Sequence, residues 1–191
     1  MKTGAWFEWE RLGGNVGITA GHAFGYSWDK YHREHPDWFA LQPNGSRDLS
    51  QLTPERARLC KSNLALIDAL ARDKIEELRR SGGKAASLCP HDGGRATFCQ
   101  CPACKKLDPP EGRPITLWNS TAVGKREFTY VSLTDRMVWF WNRLAERITK
   151  EFPDAWLGVY AYSAYKAPPA REKLHPNLAV GFVSVSYTSD A

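Results

Sequence analysis

The stretch KAASLCPHDGGRATFCQCPAC, residues 84–104, decides the fold. Lys84 to Cys89 reads as a strand: its small and apolar residues run without polar alternation, which suits a parallel strand covered on both faces. The strand end feeds Pro90-His91-Asp92-Gly93-Gly94 and then Cys99-x-Cys101-x-x-Cys104. A loop carrying imidazole, carboxylate and thiols directly after a strand stands where parallel sheets and barrels place their ligands.

Before that strand, Leu66, Ile67, Leu70, Ile75 and Leu78 recur at helical spacing. Asn63 is placed to cap the helix by accepting from an orphan backbone N–H, and Gly82-Gly83 to end it. Further upstream, Val16 to Ala20 predicts a first strand leading into Gly21-His22, and Ala57 to Cys60 a second. A helix from Ser27 should stop near His35, because Pro36 disfavours helix at the residue before it. Pro43-Asn44-Gly45-Ser46 is a turn signal.

Downstream, Pro109 to Lys125 is rich in Pro, Gly and polar residues and predicts an irregular excursion. Thr134 is placed to cap a second long helix, with Met137, Val138, Phe140, Trp141, Leu144 and Ile148 on its apolar side. Trp156 to Tyr162 predicts a fourth strand and Leu178 to Val185 a fifth. Strands alternating with helices argue an α/β fold with right-handed crossovers. A closed eight-stranded barrel takes roughly 250 residues. A chain of 191 residues is therefore read as a single domain, 1–191, forming part of a (β/α)8 barrel or a small open sheet.

Composition bounds the chemistry. The net charge is +5, from 26 Lys and Arg against 21 Asp and Glu, and the charges are mixed along the chain. Arg79, Arg80 and Lys84 gather at a helix end, where cations complement the dipole. No basic block of nucleic-acid type occurs and no apolar run spans a bilayer, so neither nucleic acid nor membrane is an expected partner. Met1 to Glu10 has no apolar signal core. Trp is abundant, with 8 copies; Trp28 and Trp38 are candidates for stacking on a sugar ring, or else fill a loop-rich core.

Three thiols within six positions suggest a local clamp. The favoured ligand set is Cys89, Cys99, Cys101 and Cys104 around a structural zinc, with His91 or Cys60 as other sources of the fourth ligand. A disulfide and free thiols are the competing readings. Asp92, beside flexible glycines, is a candidate general acid or a turn residue. His22 and Tyr160 or Tyr162 follow other strand ends and should project from the same face. Asn63 serves as cap or ligand contact. Glycoside hydrolysis needs two carboxyl groups. Glu34, Asp108, Glu111 and Glu172 are available as the second, each equally read as a surface charge.

Several short motifs follow one another in a familiar order. They are Gly21-His22-Ala23-Phe24, His35-Pro36-Asp37-Trp38-Phe39-Ala40-Leu41, Gly45-Ser46-Arg47 and Leu59-Cys60-Lys61-Ser62-Asn63. Asp92-Gly93, Phe98 to Cys104, Phe140-Trp141-Asn142-Arg143-Leu144-Ala145 and Pro176-Asn177-Leu178 continue the series. Together, over about Gly14 to Val185, they resemble the domain-of-unknown-function 4838 family. The resemblance implies a catalytic-type domain similar to the (β/α)8 barrels of α-glucuronidases and β-hexosaminidases. It also implies that this chain is the middle of a longer barrel, in an exported bacterial protein that handles glycans. Where that family leads one to expect Pro-Asn-Asp, this chain has Pro90-His91-Asp92: the acid is kept and His91 replaces Asn.

The expectation is therefore a glycoside-hydrolase-like protein that acts on or binds a carbohydrate at the C-terminal ends of its strands. Asp92 is the catalytic candidate, and His22, Asn63, His91, Tyr162, Trp28 and Trp38 are candidate substrate contacts. No cofactor is required for catalysis, and the residues leave the oligomeric state open. A non-catalytic carbohydrate-binding or interaction domain is the alternative from another class, and a zinc-stabilised nucleic-acid binder a third.

Overall fold

The structure is a computed structural model and describes residues 18, 20–47, 57–91, 98–111, 114–118 and 127–183. In chain order its elements are α1 (Ser27–Tyr31), a 3-10 turn (Pro36–Trp38), α2 (Leu64–Ser81), β1 (Ala85–Ser87) and α3 (Pro102–Lys105). The hairpin strands β2 (Pro114–Trp118) and β3 (Glu127–Val131) follow, then α4 (Thr134–Ile148), β4 (Trp156–Ala161), a 3-10 turn (Ser163–Tyr165) and β5 (Leu178–Phe182).

The parallel sheet has the order β1-β4-β5, with Ala85 opposite Trp156 and Leu157 opposite Leu178. A parallel bridge between His22 and Cys89 extends it on the other side of β1. Ala23 N–H donates to the Cys89 carbonyl (3.1 Å), and Gly21 N–H to Ser87 Oγ (3.1 Å). Sequence order and spatial order thus agree across the sheet, with no reversal. Helices α2 and α4 make the crossovers and pack against each other, so both cover one face.

Local chemistry explains the two long helices. Asn63 Oδ1 accepts from Leu66 N–H (3.1 Å), and Gly82 closes α2 in the left-handed region at φ 58°, where a Cβ is costly. Leu66, Ile67, Leu70 and Leu78 are fully buried on its inner stripe, each contributing about 1.5–3 kcal/mol by leaving water. Helix α4 starts differently from expectation. Leu133 holds the cap position with no side-chain cap, while the Thr134 hydroxyl donates to the Ala167 carbonyl (2.8 Å). Asp135 accepts from the backbone N–H groups of Ala170, Arg171 and Glu172 at 2.7–2.8 Å. The start of α4 therefore ties down the loop after β4 instead of capping itself.

Three other expectations are corrected. Ala57 to Cys60 is no strand of the sheet; Leu59 makes one antiparallel bridge to Phe39, because this segment folds back on its own loop. The supposed excursion from Pro109 to Lys125 contains strand β2, which pairs antiparallel with β3 just beyond it. The second half of β5 is open, with Val180 and Phe182 exposed. The first predicted strand falls largely outside the described residues. No helix among the described residues is long and apolar enough to cross a membrane.

Candidate metal centre and strand-end site

Two long connections run from strand ends into helices: one from the His22 bridge to α2, the other from β1 to α4. Both therefore stand over the C-terminal edge of the sheet. The first supplies Cys60 and the second Cys99, Cys101 and Cys104, and all four thiols are buried. Their sulfurs lie within 4.8 Å of one another, with Cys60 Sγ 3.7 Å from Cys101 Sγ and 3.8 Å from Cys104 Sγ. Four thiolates placed tetrahedrally at about 2.3 Å from one ion are about 3.8 Å apart, whereas bonded sulfurs are about 2.0 Å apart. All five cysteines are free thiols. The cluster can hold a metal ion.

The surrounding backbone supports that geometry. Cys101 N-caps α3, accepting from Cys104 N–H (3.4 Å), and Pro102 enters the first turn without losing a needed donor. Leu41 N–H donates to Cys99 Sγ (3.3 Å), and Ser62 Oγ lies 3.2 Å from Cys104 Sγ. Cys60 N–H donates to Trp38 O (2.7 Å), Ala40 N–H to Arg58 O (2.8 Å) and Gln100 N–H to Leu41 O (2.9 Å). Three chain segments are thereby laced together at the thiols. Arg136 on α4 anchors the second loop through Nη1 to Cys99 O (2.9 Å) and Nε to Asp108 Oδ1 (2.9 Å).

The thiols share their protons. Hydrogen bonds from Cys104 and Cys99 hold Cys60 well below an ordinary thiol, and its bond to Cys60 pushes Cys104 up. A buried group poised as thiolate is the form that ligates metal. The fourth thiol is Cys60, where sequence spacing favoured Cys89. Cys89 lies on the line of β1, with its Sγ 3.7 Å from the Gly158 carbonyl on β4. Burial raises the Cys89 thiol.

Beside the cluster, Arg58, Leu59, Lys61, Pro90, His91 and Phe98 line a small cavity with room for about one water molecule. Lys61 is 4% exposed; its Nζ rests 4.1 Å from the Phe140 ring centroid. Burial, with Arg58 adding to it, pushes this amine down to about 7. His91 Nε2 donates to the Ala57 carbonyl, while its buried Nδ1 has no hydrogen-bond partner among the described residues. Burial lowers His91 to about 4. Lys61 and Arg58 escaped the sequence reading; a lysine directly after a buried cysteine was the available signal.

The other predicted contacts divide. His22 is exposed at the strand edge, and its Nδ1 donates to the Pro90 carbonyl (2.7 Å), so it does join the His91 loop. Tyr160 OH donates to Ala20 O (2.9 Å) across the same edge. Tyr162 is half-buried and packs edge-on against Tyr165. Asn63 is committed to its cap and to Asp37 Oδ2 (3.0 Å). Trp38 is buried in the core, 6% exposed, and stacked on His35 at 4.0 Å. Trp28 is half-buried, one face covered by His32 at 4.5 Å. Asp92 lies outside the described residues. Among the other acids, Asp108 is spent on Arg136, and burial raises its carboxyl. Glu111 faces Arg171 at 3.8 Å.

A family model described as "Domain of unknown function (DUF4838)" matches residues 6–190. No curated protein and no solved structure matches the chain.

Proposed function

The chain belongs to the DUF4838 family, and from that premise we propose that it binds a carbohydrate over the C-terminal edge of its parallel sheet, as a glycoside-hydrolase-like domain. The observation that carries this reading is the convergence of both long strand-to-helix connections on that one edge. It joins His22 to the loop that carries His91, through the Pro90 carbonyl, and Tyr160 of β4 to the Ala20 carbonyl two residues before His22. Ligands of parallel α/β folds bind at that edge. The unreversed strand order and the single helical face favour an arc of a (β/α)8 barrel over a doubly wound sheet.

In this reading a structural zinc occupies the four thiols and staples the two loops, and it takes no part in bond cleavage. Closed all-thiolate sites leave no open position for substrate. Asp92, directly after His91, supplies the general acid. The test is incubation of the protein with a panel of oligosaccharides and separation of the products. Cleavage that falls by orders of magnitude in Asp92→Asn, with the fold retained, supports the enzyme. Saturable binding without any product replaces it with a carbohydrate-binding domain, and no binding to any glycan removes both.

A further inference from the structure

We propose that Arg47, Lys61 and Ser62 form the outer shell of the four-thiol centre and fit it to a divalent ion. This rests on the metal reading of the thiols above and deepens it. A divalent ion held by four thiolates carries two negative charges in all, and such a charge is buried at tolerable cost only where cations and hydrogen-bond donors meet it. Both are in place. Arg47, half-buried, hydrogen-bonds Cys60 and faces the charge of Cys99 and Cys101. Lys61, 4% exposed, faces the charge of Cys104 and Cys60. Between them the two cations reach all four thiols. Arg136 brings no further net charge, because Asp108 neutralises it, and Arg58 lies over the Phe98 ring at 3.8 Å.

Each sulfur also has a donor of its own. Leu41 N–H donates to Cys99 Sγ (3.3 Å) and Cys104 N–H to Cys101 Sγ (3.4 Å). The Ser62 hydroxyl lies 3.2 Å from Cys104 Sγ, nearer than to Cys60 (3.6 Å) or Cys101 (3.8 Å), which leaves Arg47 for Cys60. Four donors for four sulfurs suit four acceptors, that is, four thiolates. The cations are themselves fixed in place. Arg47 Nη1 donates to the carbonyls of Asp37 (3.1 Å) and Phe39, and Lys61 Nζ rests 4.1 Å from the Phe140 ring centroid. Fixed charges discriminate ions by valence. Against the same two cations, a monovalent ion in this shell would leave three negative charges and a trivalent ion only one.

Cobalt(II) titration of the full chain against a competing chelator tests this, because cobalt absorption reports a tetrahedral shell of four sulfurs. Arg47→Gln and Lys61→Met are each expected to weaken cobalt binding roughly ten- to hundredfold, and Ser62→Ala about tenfold with Ser62→Thr restoring it. Lys105→Met, at an exposed cation of α3, should change nothing. Iron in the same shell reads the charge directly. Its ferrous form carries one more negative charge than the ferric, so Arg47→Gln and Lys61→Met should both lower the midpoint potential. Affinity and potential unchanged in those two variants overturn the counter-ions while the metal site stands; the half-buried Arg47 keeps the test open if the Lys61 variant does not fold. Weaker cobalt binding with an unchanged or raised potential assigns both residues to packing and overturns the counter-ions too. If the unaltered chain takes up no cobalt in a four-sulfur shell, the metal reading falls and this proposal with it.

Discussion

The sulfurs of Cys60 and Cys101 approach to 3.7 Å although 41 positions separate them in the chain. They arrive from two different strand-to-helix connections, and that meeting makes the loops over the sheet edge one unit. Each loop alone has little secondary structure to hold it. Among the described residues the first offers α1, a 3-10 turn and one bridge, and around the cysteines the second offers only the short helix α3.

Replacing Cys60 by Ser is expected to reduce bound metal from about one ion per chain to a small fraction of that, and to lower the melting temperature. Cys89→Ser should leave the metal content unchanged, since its sulfur faces Gly158. Elemental analysis of the two variants purified alike separates these outcomes. Metal lost in Cys89→Ser and kept in Cys60→Ser would restore the ligand set that spacing favoured.

His91 makes stability depend on pH. Its folded value is about 4 through burial against about 6.5 unfolded. Between those values the unfolded chain binds more protons, so stability rises with pH. The contribution is fully present above about pH 6.5 and is lost as pH falls toward about 4. From about pH 7.5 to about pH 5 the loss is about 2 kcal/mol. Urea denaturation at the two pH values, compared with His91→Gln, measures it; an equal drop in the variant excludes His91 as the source.

Asp135→Ala should cost on the order of 3 kcal/mol, because it strands backbone N–H groups of Ala170, Arg171 and Glu172. Burial works to raise this carboxyl, and the three N–H donors override it and bring it below the ordinary range. Its stabilisation is present above about pH 4 and lost as pH falls through the folded value. Asn63→Ala removes a single cap and should cost about 1 kcal/mol. Denaturant midpoints rank the two; a smaller effect for Asp135→Ala would contradict the loop anchor.

Much of the frame was legible because it is local. Helix α2 could be read from Asn63, the stripe from Leu66 to Leu78 and Gly82, since cap, periodicity and stop act within a few residues. Strands β1, β4 and β5 announced themselves as apolar runs. What depends on distant contacts was not legible. Spacing favoured Cys89 because it is near Cys99 in sequence, yet the strand direction of β1 points it toward β4 and leaves the place to Cys60. Ala57 to Cys60 has strand composition but bridges only Phe39. Trp38 stands among polar residues, and only the packing of His35 and Tyr31 against it makes it core. The burial of Lys61 follows from Phe140 on a helix far along the chain, which no window around residue 61 contains.

The four thiols from two loops can hold one metal ion, and a zinc bound there would staple both loops over the sheet edge. X-ray absorption at the zinc edge of the purified chain tests it most directly. The expected result is one zinc per chain with a shell of four sulfurs at about 2.3 Å. A shell in which nitrogen replaces a sulfur, or a folded protein that carries no zinc after growth in its presence, would contradict it.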